Sequence, residues 1–158
     1  MVEIDEASTR TIEQLWVSYA DELLQFATVL VGPSDASDVV TDSFMSAAPS
    51  AVKPEVRDPR AYLYRAVSNR AHDLRRSRQR RWSRDLSAMR PNTQDGPDTL
   101  IDVRRAVADL SVRQRAVVYL VYWDDKSERV AADLLGLSIG TVRRHLVRAQ
   151  SHLRKALQ

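Results

Sequence analysis

The chain has 158 residues, a length that excludes a large multidomain enzyme and fits one domain or two small ones. Hydrophobic residues make up 44% and charged residues 28%, so a core can be buried, and the absence of cysteine removes disulfide scaffolds, thiolate zinc sites and cysteine nucleophiles together. The net charge of +3 conceals an asymmetry: residues 1–58 carry 11 acidic and 3 basic side chains, residues 59–90 carry 2 and 10, and residues 91–158 carry 8 and 11. Such a distribution implies different surfaces for different partners, something basic for the first third and a polyanion for the middle and the end. Only Lys53, Lys126 and Lys155 are lysine, a bias toward arginine that suits bidentate phosphate or base-edge contacts and equally reflects a GC-rich genome. No apolar run approaches the roughly 18 residues of a membrane span, and the acidic start from Met1 to Ser8 is unlike a signal peptide. A cytoplasmic chain without membrane insertion is the expectation.

Apolar spacing is helical almost throughout, and no period-two run is bounded by turns. In the first predicted helix Ile12, Leu15, Trp16, Tyr19, Leu23, Phe26 and Leu30 form one stripe, and Gly32-Pro33 stops it. Ser34 or Asp35 is positioned to cap a second helix, with Ala36, Val39, Val40, Phe44 and Ala47 inward, expected to end at Pro49. Asp58-Pro59 pairs an N-cap with proline at N1 and opens a third helix running to about residue 84. From Leu86 to Asp98 turn residues replace the apolar periodicity, which predicts a flexible linker. Beyond it, Leu100, Val103, Ala106, Val107 and Leu110 share a helical face, and Ser111 with Gln114 forms a capping box for a helix containing Ala116, Val117, Leu120 and Val121. The expected fold is all-α: two small helical domains, residues 1–85 and 99–158, joined by the linker at 86–98.

The segment from Ser127 to Leu146 has the grammar of a helix-turn-helix. Ala132 sits where the helices would cross, Gly136 can take the positive φ of the turn, and Ser138 can cap the second helix. Val142, Leu146, Ala149 and Leu153 then turn inward, leaving Gly140, Arg144 and Arg148 outward, flanked by Thr141 and Arg143. A helix presenting arginines at its N-terminal turns can enter a major groove, although the same residues fit a plain α-hairpin with a solvated basic face.

The third helix gathers Tyr62, Arg65, Asn69, His72, Arg76 and Arg80 within a narrow sector opposite Leu63, Val67, Ala71 and Leu74. Aromatic, amide and guanidinium groups so interleaved suit unpaired nucleic acid, because bases stack on rings, an amide reads a base edge and arginines hold phosphates. The run Arg75, Arg76, Arg78, Arg80 and Arg81 is dense enough to hold a polyanion. A solvated basic helix is the alternative. On the second helix Asp38 and Asp42 lie four apart, opposite Val40 and Phe44, with no cation at neighbouring helical positions; they form either a docking surface for a basic partner or a solvated acidic face. A metal-dependent phosphohydrolase using His72-Asp73 and the acidic cluster of the second helix finds little support, since only His72, His145 and His152 are histidines and no ligand spacing links them to the aspartates. Neither a cofactor nor catalysis is expected.

Together these segments resemble a bacterial RNA polymerase sigma factor of the extracytoplasmic-function (ECF) subfamily over nearly the whole chain. The stretch from Asp35 to Phe44 resembles region 2.2, which implies that Asp38 and Asp42 dock on the β′ clamp helices of core RNA polymerase. The stretch from Asp58 to Arg76 resembles regions 2.3 and 2.4, which implies that Tyr62, Arg65, Asn69, Arg75, Arg76 and Arg80 capture the melted minus-ten strand, with Asn69 matching the family's base-contacting asparagine. The stretch from Asp109 to Ala149 resembles region 4, implying a helix-turn-helix at the β flap whose Ser138, Gly140, Thr141, Arg143, Arg144 and Arg148 read minus-thirty-five DNA. Many relatives are held inactive by an anti-sigma protein. The chain departs from the family at Tyr62, where tryptophan is usual, at Ser37 and Thr41 in the clamp helix, at Val130-Ala131, and at Arg144-His145, where serine-arginine is usual. A stand-alone helix-turn-helix regulator is the other reading.

Overall fold

The computed structural model describes residues 6–85 and 99–158, with side chains given for 11–78, 103 and 105–158. The linker expected at 86–98 and the side chain of Arg80 therefore lie outside the described residues. Among the described residues seven α-helices run in chain order, α1 Glu6–Val31, α2 Pro33–Ala51, α3 Pro59–Asp85, α4 Thr99–Ala108, α5 Val112–Val118, α6 Glu128–Leu135 and α7 Ile139–Ala156, with a π-helical turn at Tyr119–Trp123 after α5. Among the described residues there is no strand.

Helices α1, α2 and α3 pack side by side as the first module. Leu23, Phe26, Leu30, Val39, Val40, Leu63, Tyr64 and Val67 are buried between them. Trp16 meets Phe44 edge to face at 4.9 Å, and Phe26 meets Tyr64 at the same separation. Gly32 ends α1 at φ 87°, and its N–H donates to the Thr28 carbonyl at 2.9 Å. Neither Ser34 nor Asp35 caps α2, contrary to expectation. Pro33, with its preset φ, takes N1 directly after Gly32, so both residues fall inside the first turn. Nor does Pro49 stop α2, which continues to Ala51. Proline this close to a helix end removes one terminal hydrogen bond, and the chain closes by Val52 donating to the Ala48 carbonyl at 3.2 Å. Asp58 caps α3 as expected, its Oδ1 accepting from Ala61 N at 3.0 Å.

The second module has the helices α4 to α7, with Ala106, Leu110, Val112, Ala116, Val117, Leu120, Ala131, Ala132, Leu134, Val142, Leu146 and Ala149 buried. Both halves of the capping box form: Gln114 N donates to Ser111 Oγ at 3.1 Å and Ser111 N to Gln114 Oε1 at 3.0 Å. The π-helical turn was not foreseen by the apolar spacing. Asp124 N reaches the Tyr119 carbonyl at 2.8 Å, and the widened turn ends at Asp125 with φ 51°.

The two modules share one hydrophobic core. Phe26 of α1 packs on Tyr119 with ring centres 6.1 Å apart, and the buried residues of α5 and α6 are continuous with those of α1 and α3. The seam runs along α3, the helix whose exposed sector was expected to meet nucleic acid.

Candidate nucleic-acid interface

The helix-turn-helix forms as its small residues require. Gly136 is left-handed at φ 64° and ψ 34°, Leu137 N donates back to the Ala132 carbonyl at 2.9 Å, and Ala132 is buried at the crossing of α6 and α7. Ser138 caps α7 by accepting from Thr141 N at 3.1 Å, and the two hydroxyls lie 2.9 Å apart. Arg144 Nη2 donates to Thr141 Oγ1 at 3.0 Å, so cap and arginine form one chain of contacts over the first turn. Arg144 is otherwise exposed. Arg143 is committed differently, its Nε donating to Glu128 Oε2 at 2.6 Å. Gly140 has no heavy atom closer than 3.9 Å to where a Cβ would stand. The fold therefore does not demand glycine there, and its bareness leaves the start of α7 open to close approach. Arg148 is exposed one turn further on.

On α3 the apolar face is in place, with Leu63, Val67 and Ala71 buried, and Arg65, Asn69, His72 and Arg76 exposed on the other side. Tyr62 is half-buried against the core, which leaves part of its ring for stacking. Arg65 and Asn69, though exposed, border the second module. With Ser68 they line a cleft of about 270 Å³ whose opposite wall is Arg113, Ala116, Leu135, Gly136 and Leu137 of the second module. Arg65 Nη2 donates to the Asp133 carbonyl at 3.0 Å, at the C-terminal end of α6. Arg75 is engaged still more tightly, with Nη1 on the Leu110 carbonyl at 2.5 Å and Nη2 on the Ala108 carbonyl at 2.7 Å. Partial burial lowers its pKa, opposed by nearby Asp109. Arg75 lies roughly 100° around the helix from the Tyr62–Asn69 stripe, which turns it toward the end of α4.

Asp38 is exposed and has no ion pair among the described residues. Asp42 meets Arg70 Nη2 at 3.2 Å, and Asp35 is gripped by both terminal nitrogens of Arg78. The α2 acids are thus bridged to α3 from across the bundle, a pairing that helical spacing within α2 did not reveal. Sequence reasoning also missed Glu22, whose carboxylate accepts from Arg60 Nε at 2.8 Å, Arg60 Nη2 at 2.6 Å and the Tyr64 hydroxyl at 3.1 Å. It missed Arg113 and Glu128 as well; the available signal was the opposite charge of residues 1–58 and 59–90, which foretells acid–base pairing between their helices without naming partners. At the rim of α7, His145 has an unpartnered Nδ1. Partial burial, then Arg113, Arg148 and Arg144, hold its pKa below the ordinary histidine value.

Comparison with known proteins agrees with this geometry. The family described as Sigma-70 region 2 matches residues 15–81, and that described as Sigma-70, region 4 matches residues 100–153. Among curated relatives, the ECF RNA polymerase sigma factor SigL of Mycobacterium tuberculosis is 31% identical, the match covering 96% of this chain and 92% of SigL. Among solved structures, the sigma factor RpoE in complex with the anti-sigma factor NepR from Bartonella quintana shares the fold, with TM-score 0.67, 24% identity, and coverage of 94% of this chain and 97% of that one. CnrH in complex with the cytosolic domain of CnrY aligns with TM-score 0.61 at 26% identity, covering 94% of this chain and 88% of CnrH. The SigL match over nearly the whole chain, with both Sigma-70 regions falling on the helices described above, places this chain in the ECF RNA polymerase sigma factor family.

Proposed function

We propose that this sigma factor divides promoter recognition between its two modules, residues 1–85 and 99–158 with 86–98 between them, and that it has no catalytic chemistry of its own. Asp38 and Asp42 dock the first module on the β′ clamp of core RNA polymerase. Tyr62, Arg65, Asn69, Arg75, Arg76 and Arg80 capture the melted minus-ten strand by stacking, base-edge and phosphate contacts. Ser138, Gly140, Thr141, Arg143, Arg144 and Arg148 hold minus-thirty-five duplex in its major groove beside the β flap. An anti-sigma protein is a further partner, on the analogy of RpoE held by NepR, and the site of action is the cytoplasm.

The observation that supports this reading is the Ser138–Thr141–Arg144 chain of contacts, which tethers an exposed guanidinium to the capped start of α7. Transcription of a genomic fragment library by core polymerase plus this chain tests it. Asn69→Ala should impair strand opening while leaving upstream binding intact. Arg144→Ala should lower upstream recognition by about 1–3 kcal/mol at one base pair, roughly fivefold to 150-fold. Should core polymerase ignore the chain in size exclusion while the chain binds a palindrome alone, a stand-alone regulator would replace this reading.

A further inference from the structure

Arg143 and Arg144 stand side by side on α7 and are tethered in different ways. Arg144 Nη2 donates to the Thr141 hydroxyl on its own helix, whereas Arg143 Nε reaches across to α6 and donates to Glu128 Oε2 at 2.6 Å. Among the described residues Glu128 pairs with no other cation. It is the first residue of α6, fixed behind the Ser127 cap that accepts from Val130 N at 3.2 Å, and the positions three and four residues on are Ala131 and Ala132. Its partner is therefore the arginine of the other helix, 15 residues away. Both side chains remain reachable from solvent, Arg143 at 67% exposure and Glu128 at 37%. At about 100° per residue, Gly140 falls between the two arginines around α7, about 60° from Arg143 and about 40° from Arg144. No side chain divides them, and no heavy atom lies closer than 3.9 Å to where a Cβ on Gly140 would stand.

An exposed ion pair adds little to stability, so bracing α6 against α7 is a small return for a carboxylate at this place. Beside a duplex an unpaired carboxylate is repelled by the phosphates, and it is tolerated there while a cation stays with it. The bond to Glu128 takes up the Nε edge of Arg143 and offsets its charge, which leaves the arginine directed by a partner on the neighbouring helix. We infer that Glu128 is a positioning residue for upstream recognition: by holding Arg143 Nε it makes that arginine a reader of one base pair instead of a general phosphate contact. This inference rests on the assignment of α7 to the major groove made above. Two consequences of opposite sign follow from it. Without the carboxylate, Arg143 is free to take a phosphate, so binding to any duplex strengthens and its salt dependence steepens by about one counterion. Discrimination at the base pair weakens, because an arginine no longer pre-set against one edge must be ordered on binding.

The test combines the full-length chain with core polymerase and a duplex library randomised over the upstream element, and bound and unbound fractions are sequenced at several salt concentrations. Glu128→Gln keeps the shape of the side chain without its charge. Glu128→Asp keeps the charge at the start of α6 but is one methylene shorter, and so does not hold Arg143 Nε in the same place. Positioning predicts that both substitutions lower the preference at one base pair by roughly fivefold or more, and that Arg143→Ala lowers it at that same pair. Adding Glu128→Gln to Arg143→Ala should change the preference no further. Glu128→Gln should also raise binding to duplexes lacking the preferred base by about threefold or more and steepen the salt slope by about one, whereas Glu128→Asp should keep the native slope. A native preference in both Glu128 variants overturns the inference. So does a native preference in Glu128→Asp alone, which would mean that charge suffices, or an effect of Glu128→Gln that persists without the Arg143 side chain. If Arg144→Ala loses preference at one pair while the Glu128 variants lose none, the positioning role fails and the sigma-factor reading stands. If the native chain with core polymerase shows no upstream preference at all, the assignment of α7 and the positioning role fail together.

Discussion

Glu22 is the residue on which the first module's ionic bracing converges. Its carboxylate takes both nitrogens of an Arg60 fork and the Tyr64 hydroxyl, joining α1 to α3 at a partly buried point. The carboxylate raises the Arg60 pKa, and burial followed by the same carboxylate raises that of Tyr64, so neither titrates in the ordinary range. Glu22→Ala leaves a guanidinium and a phenol without their acceptor, and urea denaturation should show a loss of about 1–3 kcal/mol. His145 behaves in the opposite sense. Its folded pKa lies below the unfolded value of about 6.5, so as pH falls through that value the unfolded chain takes up a proton before the folded chain does. Stability contributed by the neutral ring is present above about pH 6.5 and is lost below it until the folded pKa is reached. Thermal melts from pH 7.5 to 5.5 should fall more steeply for the native chain than for His145→Gln; parallel profiles would show that the ring carries no linkage.

At the scale of elements, what could be read from sequence was whatever local chemistry decides. Asp58-Pro59, the Ser111–Gln114 box, and Gly136 with Ser138 are each set by residues within four positions, and each formed. What could not be read depends on neighbours distant in the chain. Pro49 was expected to break α2, yet one missing bond in a last turn costs little when Ala47, Ala48 and Ala51 are buried against other helices. The π-helical turn at Tyr119–Trp123 keeps Leu120 buried, and an apolar pattern alone does not distinguish it from α-helix. The site divides in the same way. The face of α7 was legible because its cap and arginines are local, whereas the diversion of Arg65 and Arg75 onto carbonyls 68 and 35 residues away was not. The short α5 gives local chemistry a measurable test. Seven residues are too few for a helix to persist unaided, so Ser111→Ala, which removes the acceptor for Gln114 N, should lower stability by about 1 kcal/mol. A change of less than a few tenths would mean that packing of Val112, Ala116 and Val117 alone holds the helix.

For the whole molecule, the charge asymmetry along the chain has a spatial meaning. The acidic first third and the basic middle fold against each other through Asp35–Arg78 and Asp42–Arg70, exposed pairs worth about 0–1 kcal/mol each, so they give way readily to a stronger partner. Asp38, unpaired among the described residues, is the acid immediately available to a basic docking surface, and Asp42 becomes so when Arg70 is drawn elsewhere. The connection between modules sets a second constraint. Residues 86–98 are 13 in number and span at most roughly 45 Å, which must be added to the breadth of both modules to cover the roughly 85 Å between promoter elements. Deleting residues 91–96 leaves seven, and the span falls to roughly 25 Å. Strand capture and upstream binding, measured separately on single-stranded and duplex DNA, should be unchanged, because every proposed contact residue remains. Transcription from a promoter containing both elements should fall tenfold or more, and a polar insertion that restores the original length should recover it whatever its sequence. If the shortened chain transcribes normally, the two modules do not engage both elements at once, and recognition by one of them is enough to start the polymerase.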